Sequence, residues 1–186
     1  MLAPLRAFGP PLADTIGVTS YVAWQSASDA GFPAGHLHYW KSGFLRDLTA
    51  GAIETLLEHV PEMPSSMSEV GLQRMHGAAS RVAPDATAFP HRADQYDFPI
   101  LSQWVDPEDS RRNIAWTRGL FDAMTPNLPD AVYVNALGVE GSERVRSAYG
   151  LNYSRLAEVK RRYDPANVFR LNKNIAPGPE PSGARR

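Results

Sequence analysis

Residues 163–177 read YDPANVFRLNKNIAP, and the fold reading starts there because these residue types fit neither a generic helix nor a generic strand. A segment rich in Arg155, Lys160, Arg161 and Arg162 runs into Asp164-Pro165, where proline cannot extend a helix and turns its predecessor away from the helical region. Beyond that turn Phe169 is a candidate apolar anchor. Arg170, Asn172 and Asn174 alternate, so an extended backbone presents all three on one face, toward a polar partner.

Working outward, the chain alternates between the two periodicities. His36 to Ser42 reads as a strand. Asp47 or Thr49 then caps a helix whose apolar stripe is Ala50, Ile53, Leu56, Leu57 and Val60, ended by Pro61. Ser66 to His76 alternates as a strand. In the next strand Tyr96, Phe98, Ile100, Ser102 and Trp104 share one face, with Asp97, Pro99, Leu101 and Gln103 on the other; Pro99 implies an edge or a bulge. Asp106-Pro107-Glu108-Asp109 opens a helix with Ile114, Leu120, Phe121 and Met124 as its buried stripe. Ala131 to Ala136 is expected as a fourth strand, followed by helices near Glu143 to Tyr149 and Asn152 to Tyr163. This order predicts an α+β fold, an antiparallel sheet with helices packed on one face, plus a C-terminal helical segment and an extended tail. Four stretches are expected: an irregular 1–35, in which Tyr21 to Trp24 reads as extended, an α+β unit over 36–140, a C-terminal segment over 141–177, and a disordered tail over 178–186.

A length of 186 residues suffices for one cored domain, and 43% hydrophobic with 21% charged residues is ordinary for a globular chain. A net charge of −1 and a pI near 6.5 carry no electrostatic footprint for nucleic acid or an anionic membrane, so neither is an expected partner. The absence of cysteine removes disulfides, thiol nucleophiles and thiolate metal sites. No apolar run has the length of a membrane span and the first residues lack a secretory core, which makes a cytoplasmic location the default. His36 and His38 share a strand face without a convincing third ligand, so no metal site is expected.

The terminal stretch, together with YVNALG (Tyr133 to Gly138), AYGLNYSRLAEVKRRYDP (Ala148 to Pro165), AFPHRADQYDFPILSQW (Ala88 to Trp104), NIAWTRGLFDAM (Asn113 to Met124) and HYWKSGFL (His38 to Leu45), resembles the second half of the berberine-bridge-enzyme-like, FAD-linked oxidases of the vanillyl-alcohol oxidase superfamily. The resemblance implies a place in the substrate domain, a large antiparallel sheet backed by helices whose other strands precede the equivalent of Met1. It also implies FAD as cofactor. In the family the flavin is held mainly by an N-terminal domain with a glycine-rich loop and a covalent histidine, often joined by a cysteine; nothing in this sequence matches that domain.

The resemblance assigns Tyr133 as the catalytic tyrosine that deprotonates the substrate alcohol or assists hydride transfer. A phenol titrates at roughly 10, so a basic role near neutrality needs a nearby cation or hydrogen-bond donor. The alternative is a packing aromatic. Asn135, Arg170, Asn172 and Asn174 carry over as cofactor-binding residues, against the alternative of exposed polar positions. His91, after Phe89-Pro90, reads as a loop-orienting residue rather than a base. Some family members carry an acid or amide near the position of Pro99, which has no proton to exchange.

The resemblance therefore implies the substrate-binding portion of an oxidoreductase acting on an alcohol, sugar or natural-product intermediate. The alternative is a non-catalytic ligand-binding or interaction protein, a truncated relic of such an oxidase. Expected partners are a small-molecule substrate and either a flavin-domain chain or a second copy, because a partial sheet exposes an edge. Light scattering checks this: a dimer or larger assembly is expected, and a monodisperse monomer would count against it.

Overall fold

The computed structural model describes residues 2–9, 11–138, 141–171 and 173–178. They divide into two compact units, 1–34 and 35–186. The first holds two short helices, α1 (Ala3–Ala7) and α2 (Tyr21–Gln25). The extended reading of Tyr21 to Trp24 is corrected: the Ser20 hydroxyl accepts from the Ala23 amide at 3.1 Å, an N-cap that starts a helix where residue preferences alone favoured a strand.

The second unit follows the α+β expectation. Strand β1 (Leu37–Leu45) leads to helix α3 (Ala50–His59), capped by the Thr49 side chain; two short strands follow, β2 (Glu69–Val70) and β3 (Gln73–Met75). Strand β4 (Gln95–Trp104) then precedes helix α4 (Ser110–Met124), and the chain closes with α5 (Ser142–Tyr149) and α6 (Tyr153–Tyr163). All pairing is antiparallel, with β1 on one edge of β4 and both β2 and β3 on the other.

Pro99 therefore sits in the central strand, not at an edge. The register Val70↔Ile100 and Gln73↔Asp97 is continuous, and the ladder opens only where Pro99 has no amide to donate. Gly71 makes this tolerable: its amide donates to the Pro99 carbonyl at 2.9 Å, and a Cβ there would lie 2.9 Å from Pro99 Cγ. The expected single strand over Ser66 to His76 thus becomes β2 and β3.

Phe98 and Ile100 of β4 face α3 and α4, and with Leu45, Ala52, Leu120 and Met124 form the main core. The buried face of α4 is Asn113, Thr117, Leu120 and Met124, more polar than the expected stripe, because Ser102 Oγ and Thr117 Oγ1 share a hydrogen bond of 2.5 Å inside the core. Ala52 and Leu56 carry the inner face of α3, while Ile53 and Leu57 are exposed. A second cluster joins Val132, Leu137, Val145, Ala148, Tyr153 and Ala157, with Ile175 packed against it.

Ala131 to Ala136 does not form the expected fourth strand. Ala131 N donates to Pro129 O at 2.7 Å and Ala136 N to Tyr133 O at 2.9 Å, so local turns take the groups a ladder would use, and residues 134–136 make a 3-10 turn. After α6 the chain turns as expected, around one carboxylate: Asp164 accepts from Lys160 Nζ and from the amides of Val168 (2.7 Å) and Phe169 (3.1 Å). This fastens the backbone and leaves the Phe169 side chain 81% exposed, so Phe169 is not the anchor the sequence suggested; Ile175 is. Among the described residues no helix is long and apolar enough to cross a membrane.

Gly71→Ala is expected to destabilise the chain by about 1–3 kcal/mol in urea unfolding, as overpacking does. Gly119→Ala, on the exposed side of α4 with nothing within 4 Å of the added carbon, is expected to stabilise by about 0.5–1 kcal/mol.

Candidate functional site

The strand alternation that buries Phe98 and Ile100 turns Asp97 to the opposite face of the sheet, where Phe44 of β1 and Gln73 of β3 are its cross-strand partners. These three, with Met75, Phe89 and Tyr133, line a cavity of about 230 Å³. Its walls are aromatic: Phe89 meets Tyr133 edge to face at a centroid distance of 5.8 Å and Phe44 at 6.3 Å.

The loop carrying Phe89 is held from several sides. Arg92 places its guanidinium 5.0 Å from the Phe89 ring centroid, donates from Nη2 to Thr87 Oγ1 at 2.7 Å, and donates from Nε to Phe89 O at 3.2 Å. His91 packs on Phe44 at 5.0 Å, and its Nε2 bonds the Ala148 carbonyl at 3.0 Å, tying the loop to the end of α5. That is the loop-orienting role read from the sequence. Asn152 adds two bonds from Nδ2, to Pro84 O at 2.7 Å and Thr87 O at 2.9 Å. Burial holds the His91 imidazole below its ordinary range, partly offset by the Ala148 and Ser147 carbonyls.

Two polar groups stand in this aromatic setting. The Asp97 carboxyl is half-buried and pushed above the usual carboxylate range by that burial, opposed by hydrogen bonds from Ser42 Oγ (3.0 Å) and the Phe98 amide. The Tyr133 oxygen accepts from Asn135 Nδ2 at 2.8 Å. Tyr133 and Asn135 are thus brought together, by a 3-10 turn rather than by the shared strand face that was expected.

The remaining candidates lie on the closing segment. Arg170 is exposed; Asn174 is half-buried, and its Oδ1 is one of three buried side-chain polar atoms without a hydrogen-bond partner among the described residues. Asn172 lies outside the described residues. Two ties bring this segment beside the Tyr133 turn: Lys173 Nζ donates to Gly138 O at 2.7 Å, and Ile175 packs on the cluster containing Val132 and Val134. Asp97 and Ser42 were not read as site residues from the sequence. The available signal was an aspartate between Tyr96 and Phe98 inside a strand, where that residue type is depleted.

Residues 132–176, from the cavity tyrosine's turn to the closing segment, match the family described as berberine and berberine like. The matched segment is berberine-bridge-enzyme-like. It is 32% identical over 181 residues to the FAD-linked oxidoreductase YgaK of Bacillus subtilis, an alignment covering 95% of this chain and 40% of YgaK. It is 30% identical over 176 residues to berberine bridge enzyme-like C-1 of Nicotiana tabacum, covering 77% of this chain and 30% of that protein. The structure of berberine bridge enzyme from Eschscholzia californica superposes with a TM-score of 0.69 at 23% identity over 77% of this chain and 33% of that one, a likeness of fold. The chain therefore spans well under half the length of each of these relatives.

His91 carries a pH dependence of stability. Its folded pKa lies below the unfolded value near 6.5, so its contribution is fully present above about pH 6.5 and is lost as pH falls through the folded value. In urea unfolding from pH 7.5 to 5, His91→Gln is expected to flatten that decline; a variant with the wild-type slope would place the titration elsewhere.

Proposed function

We propose that this chain forms the substrate-binding side of an FAD-linked oxidoreductase that oxidises an alcohol, a sugar or a natural-product intermediate by hydride transfer to the flavin. The observation that carries the reading is Tyr133: it lines a cavity walled by Phe44 and Phe89, its oxygen accepts from Asn135, and it belongs to the family-matching segment. Relatives over most of this chain are named FAD-linked oxidoreductases.

In this reading the cavity takes the substrate's carbinol end and its aromatic walls exclude water. Tyr133 is the catalytic residue: its own proton leaves first, to solvent, and its Oη then receives the proton of the substrate hydroxyl. The Asn135 amide already donates to the Tyr133 oxygen at 2.8 Å, which orients it. When bound, the flavin supplies the two-electron chemistry, and the protein supplies orientation and electrostatics. Asn135, Arg170 and Asn174 fit contact with a ring edge carrying donors and acceptors: Asn135 and Arg170 are exposed, and Asn174 Oδ1 is a buried acceptor in want of a donor. Asn172 belongs to the same stretch. The cavity, at about 230 Å³, lies below the roughly 300–1,000 Å³ of sites that enclose a drug-sized ligand, so it fits a substrate end and does not enclose a dinucleotide. The rest of the flavin surface then comes from a flavin-domain partner.

A second reading, a ligand-binding module without redox chemistry, rests on the size of the cavity, about 230 Å³, which holds one end of a small molecule and does not enclose a dinucleotide.

Titration of FAD with the purified chain, followed by flavin absorbance and fluorescence, separates the two. Weak quenching is expected, because the partner's share of the flavin surface is missing, and it is weakened about 3- to 10-fold further in Asn174→Ala by loss of one hydrogen bond. In an oxygen-uptake assay with FAD and alcohols, Tyr133→Phe is expected to lower turnover about 100-fold or more without changing the quench. An unperturbed flavin spectrum at saturating chain would bring the binding-module reading forward.

A further inference from the structure

Apart from Tyr133, the described residues lining the cavity include one group able to carry full charge, and the chemistry assigned to Tyr133 does not use it. Asp97 stands at the floor, on the face of β4 opposite the core. Ser42 Oγ–H donates to its Oδ1 at 3.0 Å, and the Phe98 amide also donates to the carboxylate. A carboxylate offers about four acceptor sites, so capacity remains for a ligand in the cavity. Every other side chain on the walls is aromatic, a thioether or a neutral amide: Phe44, Phe89, Met75 and Gln73.

The neighbouring cations turn elsewhere. Arg74 of β3 pairs with Asp94 at 2.7 Å and lies over the Tyr96 ring, Lys41 of β1 lies over the Phe121 ring, and Arg92 lies over the Phe89 ring. His91, behind the Phe44 and Phe89 rings, is engaged with the Ala148 carbonyl. Asp97 and Tyr133 are the titratable groups among the described lining residues, and no cation is among those.

Size bounds the ligand further. A protein cavity of about 150 Å³ lined by apolar side chains admits benzene. One of about 230 Å³ admits a single ring or sugar-sized face with a short polar arm.

We infer that Asp97 is the specificity-determining residue of this cavity, accepting from a hydroxyl or ammonium group on a flat apolar body and turning away ligands that present a carboxylate. The inference rests on the reading of the cavity as the substrate site. Ser42 is a positioning residue: its hydroxyl fixes the Asp97 rotamer and favours the charged form. The preference for a cation is therefore present where Asp97 is ionised and fades on acidification.

The test uses three probes of one shape, benzylamine, benzyl alcohol and benzoate, titrated into the full chain and followed by the aromatic proton signals of Phe44, Phe89 and Tyr133. In the wild type, benzylamine and benzyl alcohol are expected to move these signals at concentrations about tenfold or more below benzoate, the scale a half-buried charge supplies after screening. In Asp97→Asn the preference is expected to collapse to within about twofold, because the isosteric amide keeps the shape and removes the charge. Ser42→Ala, which keeps the carboxylate, is expected to move the pH midpoint of the benzylamine preference upward, a change that packing alone would not produce. If the probes bind but Asp97→Asn keeps the wild-type ratio, or Ser42→Ala leaves the midpoint in place, the role of Asp97 is overturned while the cavity stands. If none of the probes moves the three rings, the cavity reading falls, and this inference with it.

Discussion

Strand β4 is the constraint from which the rest of the structure follows, because it is paired on both edges and used on both faces. On one face Phe98 and Ile100 reach the α3 and α4 core; on the other Asp97 forms the floor of the cavity. A shift of one residue in its pairing would exchange these sets, placing a carboxylate in the core and a phenylalanine in the site. Register is held by the nine-residue ladder to β1 and, across the Pro99 break, by the close seat of Gly71 on the proline ring. Core packing therefore positions the site: whatever fixes Phe98 also aims Asp97.

The remaining wall is brought to this strand by side chains whose partners are backbone carbonyls. His91 reaches Ala148 O, Asn152 reaches Pro84 O and Thr87 O, and Lys173 reaches Gly138 O. Each tie joins segments far apart in sequence, and together they bind the Phe89 loop, the Tyr133 turn and the closing segment to the second hydrophobic cluster. Such bonds are worth about 1 kcal/mol each, rising where a charged donor is used. Their effect is geometric as much as energetic: they set Phe89 edge-on to Tyr133 and leave the tyrosine oxygen to Asn135.

Much of this was legible in the sequence, for physical reasons that differ by element. The faces of β4 follow from strict alternation, and α4 follows from Asp106-Pro107 and a period of 3.6. The stripe of α4 was displaced because Asn113 and Thr117 are buried through hydrogen bonds, which a hydrophobic pattern does not count. Pro99 pointed to an edge or a bulge because the rule for proline in sheets does not see Gly71 in the break between β2 and β3. Ala131 to Ala136 has strand-like residues, yet Pro129 and the turn bonds after it take the backbone. For the site, the resemblance supplied Tyr133 and Asn135, and the structure joins them through a turn instead of a strand. Asp97 shares its face of β4 with Pro99, two residues along. The aspartate is visible as a site residue only once Phe89 and Tyr133 are folded over it.

Amide hydrogen exchange across β4 in the purified chain tests most directly the claim that one doubly paired strand organises both core and cavity. The account requires the β4 amides from Ile100 to Trp104 to be the slowest in the molecule, exchanging only on global unfolding, with Phe98 close behind. Exchange there as fast as in the exposed, unstructured backbone of residues 11–19 would mean that β4 does not order this chain, and would remove the physical basis for the site built on it.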